Sequence, residues 1–224
     1  MEEGLEMLPE AEELLVKAWT GENIDHDGRF WKSTFPTLRP RPYQKPHPPL
    51  VRACMSENSV VEMAKIGRPM LISIQTVDTL RRRFQLYRDT MLEAGFTPEA
   101  VETALDQRWA QRGVYLGDSN QEAVEVATDA LRRFRAPLLD ARIKYNPGGV
   151  PPSSPGQEPN PGEVVETAFV DGTPKRVAEQ IAELKDAEVR NLLLNMNVGQ
   201  IPPKQVERSM RTFSEKVLPA FQSS

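Results

Sequence analysis

The chain has 224 residues, 39% of them hydrophobic and 27% charged, which suits one packed domain of ordinary size. A formal net charge of -4 argues against nucleic acid or an anionic membrane as principal partner. The single cysteine, Cys54, excludes an internal disulfide framework and a multi-cysteine zinc site. In chain order, the first element is a helix over residues 10–19 with Leu14, Leu15, Ala18 and Trp19 on one face. Pro9 is expected at its first helical position, since a helix already running from Glu2 would have to kink there. Residues 29–44 alternate loosely and carry prolines, as edge-type β structure does.

Pro49–Met55 then reads as a short buried strand. Ser56 opens a helix with Val60, Val61 and Ala64 inward and Gly67 as its stop. Pro69–Ile74 is a second apolar strand. The clearest helix follows, with Val77, Leu80, Phe84, Tyr87, Met91 and Ala94 at spacings of three and four before Gly95. Thr97 and Pro98 start a small capped helix, and residues 109–116 form a third strand. Asp118 or Ser119 caps the next helix, with Ala123, Ala127, Leu131 and Phe134 inward. Of the 20 prolines, six fall between Pro147 and Pro161, and residues 146–162 hold no large apolar residue beyond Val150, so that stretch reads as a surface excursion. Val164–Val170 is expected to be extended. Thr173 and Pro174 start a helix with Val177, Ile181 and Leu184 inward, Asn191–Met196 is a fourth strand, and Pro202–Pro203 open a last helix with Val206, Met210, Phe213 and Val217 inward.

Short strands without alternation, each followed by a helix, are the mark of parallel strands covered by helices. The fold class is α/β. Four such units are half of an eight-stranded barrel of about 250 residues, or an open four-stranded sheet.

Four stretches in order resemble the luciferase-like family of flavin-dependent monooxygenases, which includes bacterial luciferase and the F420-dependent reductases. They are EEGLEMLPEAEELLVKAWTGENIDHDGRFW, RPRPYQKPHPPLVRACMSENSVVEMAKIGRPMLIS, FVDGTPKRVAEQIAEL with NLLLNM, and ERSMRTFSEKVLPAF. The resemblance implies a single partial domain over 1–224: the second half of a TIM-type (β/α)8 barrel, with 146–162 as a proline-rich loop over the active-site mouth. Its four strands stand where the family has its fifth to eighth. The first four strands, with much of the flavin pocket and the usual catalytic histidine, have no counterpart, so the catalytic residues are unknown.

The resemblance implies FMN as cofactor, F420 being the variant, and places the flavin phosphate at Met55, Ser56 and Ser59. A helix N-terminus suits that role because its amides lack intrahelical partners; the alternative is that Ser56 only caps the helix. Glu57 would repel a dianion unless its side chain turns away. Asn195, Asn197, Gln75 and Thr76 stand at strand ends that line the pocket in a barrel, and Thr173 starts a helix; against a ligand role stands the simpler reading that each polar residue only ends a strand or caps a helix. His26 and His47 are read as surface or structural residues without a nearby carboxylate pattern, and no metal site is expected. Cys54 is read as a core thiol. Arg81–Arg83 and Arg132, Arg133 and Arg135 are read as solvated, and Trp19, Trp31 and Trp109 as packing residues.

The function implied is oxygenation of a small organic substrate by reduced flavin and dioxygen. A flavin reductase and a second copy of the chain are candidate partners; neither nucleic acid nor membrane is. The rivals are a non-catalytic half-barrel scaffold or fragment, and F420-dependent hydride transfer. No run of 18 apolar residues and an acidic N-terminus give a cytoplasmic expectation.

Overall fold

A computed structural model describes residues 2–145 and 161–222. They divide into two compact units, 1–50 and 51–224. In the first, helix α1 (Glu2–Thr20) precedes an antiparallel hairpin of β1 (Ile24–Asp27) and β2 (Lys32–Phe35). Contrary to the expected start at Pro9, α1 runs through it. Proline removes one backbone bond, but Pro9 is exposed, and the packed face continues past it from Met7 and Leu8 to Ala11, Leu14 and the buried Ala18.

The second unit is built on β3 (Arg52–Ala53), β4 (Met70–Ser73), β5 (Trp109–Leu116), β6 (Phe169–Gly172) and β7 (Asn191–Asn195). Every pairing among them is parallel: β3 with β4, β4 with β5, and β5 with both β6 and β7. The strand expected at 49–55 is only two residues long. Val164–Val170 is not extended throughout: α6 (Pro161–Ala168) occupies its first part and β6 begins at Phe169, adding a fifth parallel strand. Val165 and Ala168 are buried with Phe169, so the same apolar residues pack as a helix against α5 (Asn120–Tyr145).

The register assigns the faces. Cys54, Met70, Ile72, Ala110, Val114 and Leu192 share one side and form the main core with the covering helices α2 (Glu57–Lys65), α3 (Val77–Glu93), α4 (Pro98–Leu105), α7 (Pro174–Asp186) and α8 (Pro203–Lys216). Ala53, Leu71, Trp109 and Asn191 share the other side, and two residues on lie Ser73, Gln111 and Leu193. That side is half open: Ala53 is exposed and Leu193 retains 45% of its surface.

Helix stripes agree with the spacing, with local exceptions: Leu15 in α1 is exposed, as is Ala94, which falls at the C-cap of α3, past its last packed turn. In α2 the third buried residue is Met63, not Val61, because Val60, Met63 and Ala64 define the inward line. In α5 Ala130 is buried and Phe134 exposed, since residues 132–141 continue beyond the body that the helix packs on. In α8 Met210 is exposed and Ser209 is buried, its hydroxyl accepting from the Leu116 amide at 2.9 Å. The proline-rich segment lies, over 146–160, outside the described residues.

Candidate functional site

Parallel pairing gathers the C-terminal ends of the strands along one edge of the sheet, where α/β folds bind ligands. There Met55 and Ser56 connect β3 to α2, and Ser59 lies in the first turn of α2. Ser56 is the N-cap, with extended backbone, and its Oγ accepts from the Ser59 amide at 3.2 Å. Ser59 Oγ in turn accepts from the Ser56 amide at 3.1 Å, which closes a capping box. The two hydroxyls stand 3.2 Å apart. The amides of residues 57 and 58 lack intrahelical acceptors, as at any helix start. Ser56 and Met55 are exposed and Ser59 half-buried.

Two arginines of α3 reach this corner. Arg82 binds the Glu57 carboxylate at 3.1 Å, so the acid on the first turn of α2 already has a counter-ion. Arg83, expected in solvent with its neighbours, is instead 7% exposed, because it falls on the same α3 line as Leu80, Tyr87 and Thr90. Its Nη2 donates to the Met55 carbonyl at 3.2 Å, while Nε and Nη1 are buried without a partner. Beneath, Cys54 is fully buried, and burial pushes its thiol above the ordinary range.

Of the other polar residues at strand ends and helix starts, Thr76 and Thr173 stand at N-caps. Thr76 caps α3 by accepting from the Thr79 amide at 3.2 Å, and the Gln75 carbonyl accepts from Arg112 at 2.6 Å. Thr173 occupies the N-cap position of α7 without a side-chain capping bond; its amide donates to Asn120 Oδ1 at 2.9 Å. Asn195 is exposed, and Asn197 borders a groove of about 510 Å³ along α8 with Val206 and Met210. Neither serine of α2 lines that groove.

Both histidines are structural. His47 stacks beside Trp19 at 5.9 Å. His26 is buried and, against expectation, has a carboxylate partner: Glu10 Oε1 lies 3.3 Å from its Nε2. Sixteen positions separate them, so local spacing holds no trace of the pair. Glu10 also accepts from the amides of Arg29, Phe30 and Trp31 at 2.9–3.1 Å. Burial would raise its pKa, but the bonds from Trp31, Phe30 and His26 hold it below the ordinary value. Among the described residues no three His, Cys, Asp or Glu side chains cluster as metal ligands.

Sequence reasoning missed two buried charges inside strands. Arg112 lies in β5, donating to the Gln75 and Gln111 carbonyls, and desolvation lowers its pKa to about 10. Asp171 in β6 is 2% exposed, with Oδ2 unpartnered and Arg176 at 3.7 Å. Burial raises its pKa despite the arginine. Each is a single charge inside an apolar strand, which hydrophobic periodicity passes over.

The sequence profile of luciferase-like monooxygenases matches residues 1–191. The chain belongs to the luciferase-like monooxygenase family. Among curated proteins none matches it. Solved structures similar to this luciferase-like chain include a monooxygenase from Streptomyces bottropensis, with TM-score 0.72 and 23% identity over 99% of this chain and 63% of that one. Another is the oxygenating constituent of 3,6-diketocamphane monooxygenase from Pseudomonas putida, in complex with FMN, with TM-score 0.62 and 20% identity over 96% of this chain and 62% of that one. A third is a coenzyme F420-dependent tetrahydromethanopterin reductase from Methanopyrus kandleri, with TM-score 0.64 and 16% identity over 96% of this chain and 63% of that one. The luciferase-like chain thus spans less than two thirds of these relatives, and the TM-scores show the shared fold.

The corner at α2 has the chemistry to hold an anion: two hydroxyls, first-turn amides without intrahelical acceptors, a Glu57 already paired with Arg82 and a buried guanidinium with two unpartnered nitrogens.

Proposed function

We propose that this protein serves a flavin-dependent monooxygenase reaction and holds the phosphate of FMN at Met55, Ser56 and Ser59. Residues 1–224 are read as one incomplete barrel domain. The observation carrying this is the serine pair: both hydroxyls stand at a helix start on the ligand-binding edge of a parallel sheet, and the neighbouring Glu57 is already paired. The bound flavin supplies the redox chemistry toward dioxygen and a small organic substrate. The chain's own part would be to hold the phosphate on the α2 amides and hydroxyls, beside Met55. A flavin reductase supplying the reduced cofactor and a second copy of the chain are the proposed partners, in the cytoplasm; no described helix is long and apolar enough to cross a membrane.

The test is to purify the chain, add FMN, and record flavin fluorescence and reductase-dependent oxygen uptake. Quenched fluorescence with uptake supports the reading. Absence of FMN binding overturns the site.

A second reading rests on the half-open sheet side, where Val51, Met55 and Leu193 keep 38%, 61% and 45% of their surface. It treats the chain as a half-barrel scaffold without turnover. FMN binding without oxygen uptake favours it, and F420-dependent hydride transfer is separated from both by substituting F420 in the same assay.

A further inference from the structure

We infer that Arg83 is a positioning residue that makes the α2 corner selective for a phosphorylated flavin. This rests on the phosphate reading above and adds to it the residue that discriminates FMN from riboflavin.

Arg83 sits on α3, yet its guanidinium reaches the peptide joining Met55 to Ser56, where Nη2 donates to the carbonyl at 3.2 Å. That peptide's amide is the group that Ser59 Oγ accepts from. Arg83 and Ser59 therefore hold the two sides of one peptide, the one that leads into the Ser56 cap. Its other two nitrogens are buried and unpartnered, and it makes no ion pair with any described residue. Arg82, its neighbour, takes the one acid on the first turn of α2.

A guanidinium withdrawn from water without a counter-charge is destabilising in the free protein. An anion seated on the α2 amides offsets that penalty, and its attraction to the guanidinium is strong because little water intervenes. A neutral ligand gains nothing from it. Lysine would keep the charge but not the planar fork that holds the Met55 carbonyl while leaving two donors free.

The test measures equilibrium binding of FMN and riboflavin by flavin fluorescence, with wild type, Arg83→Met and Arg83→Lys. Wild type is expected to prefer FMN, and Arg83→Met to lose about tenfold in FMN affinity, the equivalent of one charge-assisted hydrogen bond, with riboflavin affinity unchanged. Arg83→Lys should retain part of the preference. If wild type binds the two flavins equally, the phosphate reading itself fails. If wild type prefers FMN but Arg83→Met keeps that preference, or loses both flavins equally, the role of Arg83 is overturned. Should Arg83→Met not fold, thermal unfolding of wild type decides: inorganic phosphate should raise Tm above chloride at matched ionic strength, and no difference overturns the proposal.

Discussion

Ser56 and Ser59 serve the helix as well as any ligand, and the two duties separate by measurement. Replacing Ser56 with Ala removes an N-cap and should cost about 1 kcal/mol of stability, read by urea unfolding. The double change to Ala should also weaken FMN binding well beyond that of riboflavin; equal loss of both would leave capping as the only duty. Asp171 gives a pH signature. Its folded pKa is raised by burial, so the native state favours the protonated acid. Stability is therefore highest below the unfolded pKa and falls as pH rises through the folded one. Asp171→Asn should raise Tm at neutral pH and flatten that fall. Glu10 runs the other way: held below its ordinary 4.5 by backbone amides, it stabilises the 1–50 unit above that pH and loses the effect as pH drops through the folded pKa. Glu10→Gln should reduce acid sensitivity in that unit, followed by the fluorescence of Trp31. The serine corner was legible because capping residues, helix start and preceding strand are adjacent in sequence. Glu10 with His26, and Arg83 with the Met55 carbonyl, were not, because each pair is joined only by folding.

Elements with strong local signals match the structure: β5 covers 109–116, and α4 begins at Pro98 behind Thr97. The failures share a cause. Pro9 and Val164–Val170 were judged on local preference, and tertiary packing decided otherwise: α1 buries a face that spans the proline, and Val165 and Ala168 pack against α5. The connection from β7 to α8 shows the same dependence on distant contacts. Gly199 has φ of 59°, and a Cβ there would run into the backbone of Ala130 on α5. Gly199→Ala combines a strained backbone with a clash that no side-chain rotation relieves. It should destabilise by about 2 kcal/mol or more, beyond the usual surface range, measured by thermal or denaturant unfolding.

For the whole molecule, the parallel order was readable from strand–helix alternation, and the fifth strand was not, because β6 is only four residues long and follows a helix made of similar residues. Openness on one side of the sheet leads to a further expectation. Leu193→Glu should change monomer stability by less than about 0.5 kcal/mol if nothing covers that side, and should abolish any self-association seen by sedimentation if a second copy does. β5 stands at the centre of all this, bonded to β4, β6 and β7. The ribosome delivers those neighbours at very different times: β4 is made before β5, whereas β7 follows only after α5, α6, β6 and α7. Throughout that interval one margin of the nascent sheet's middle strand waits with its amides and carbonyls unbonded. Emergence of β7, and not of the early units, is thus the moment at which the sheet can first become complete.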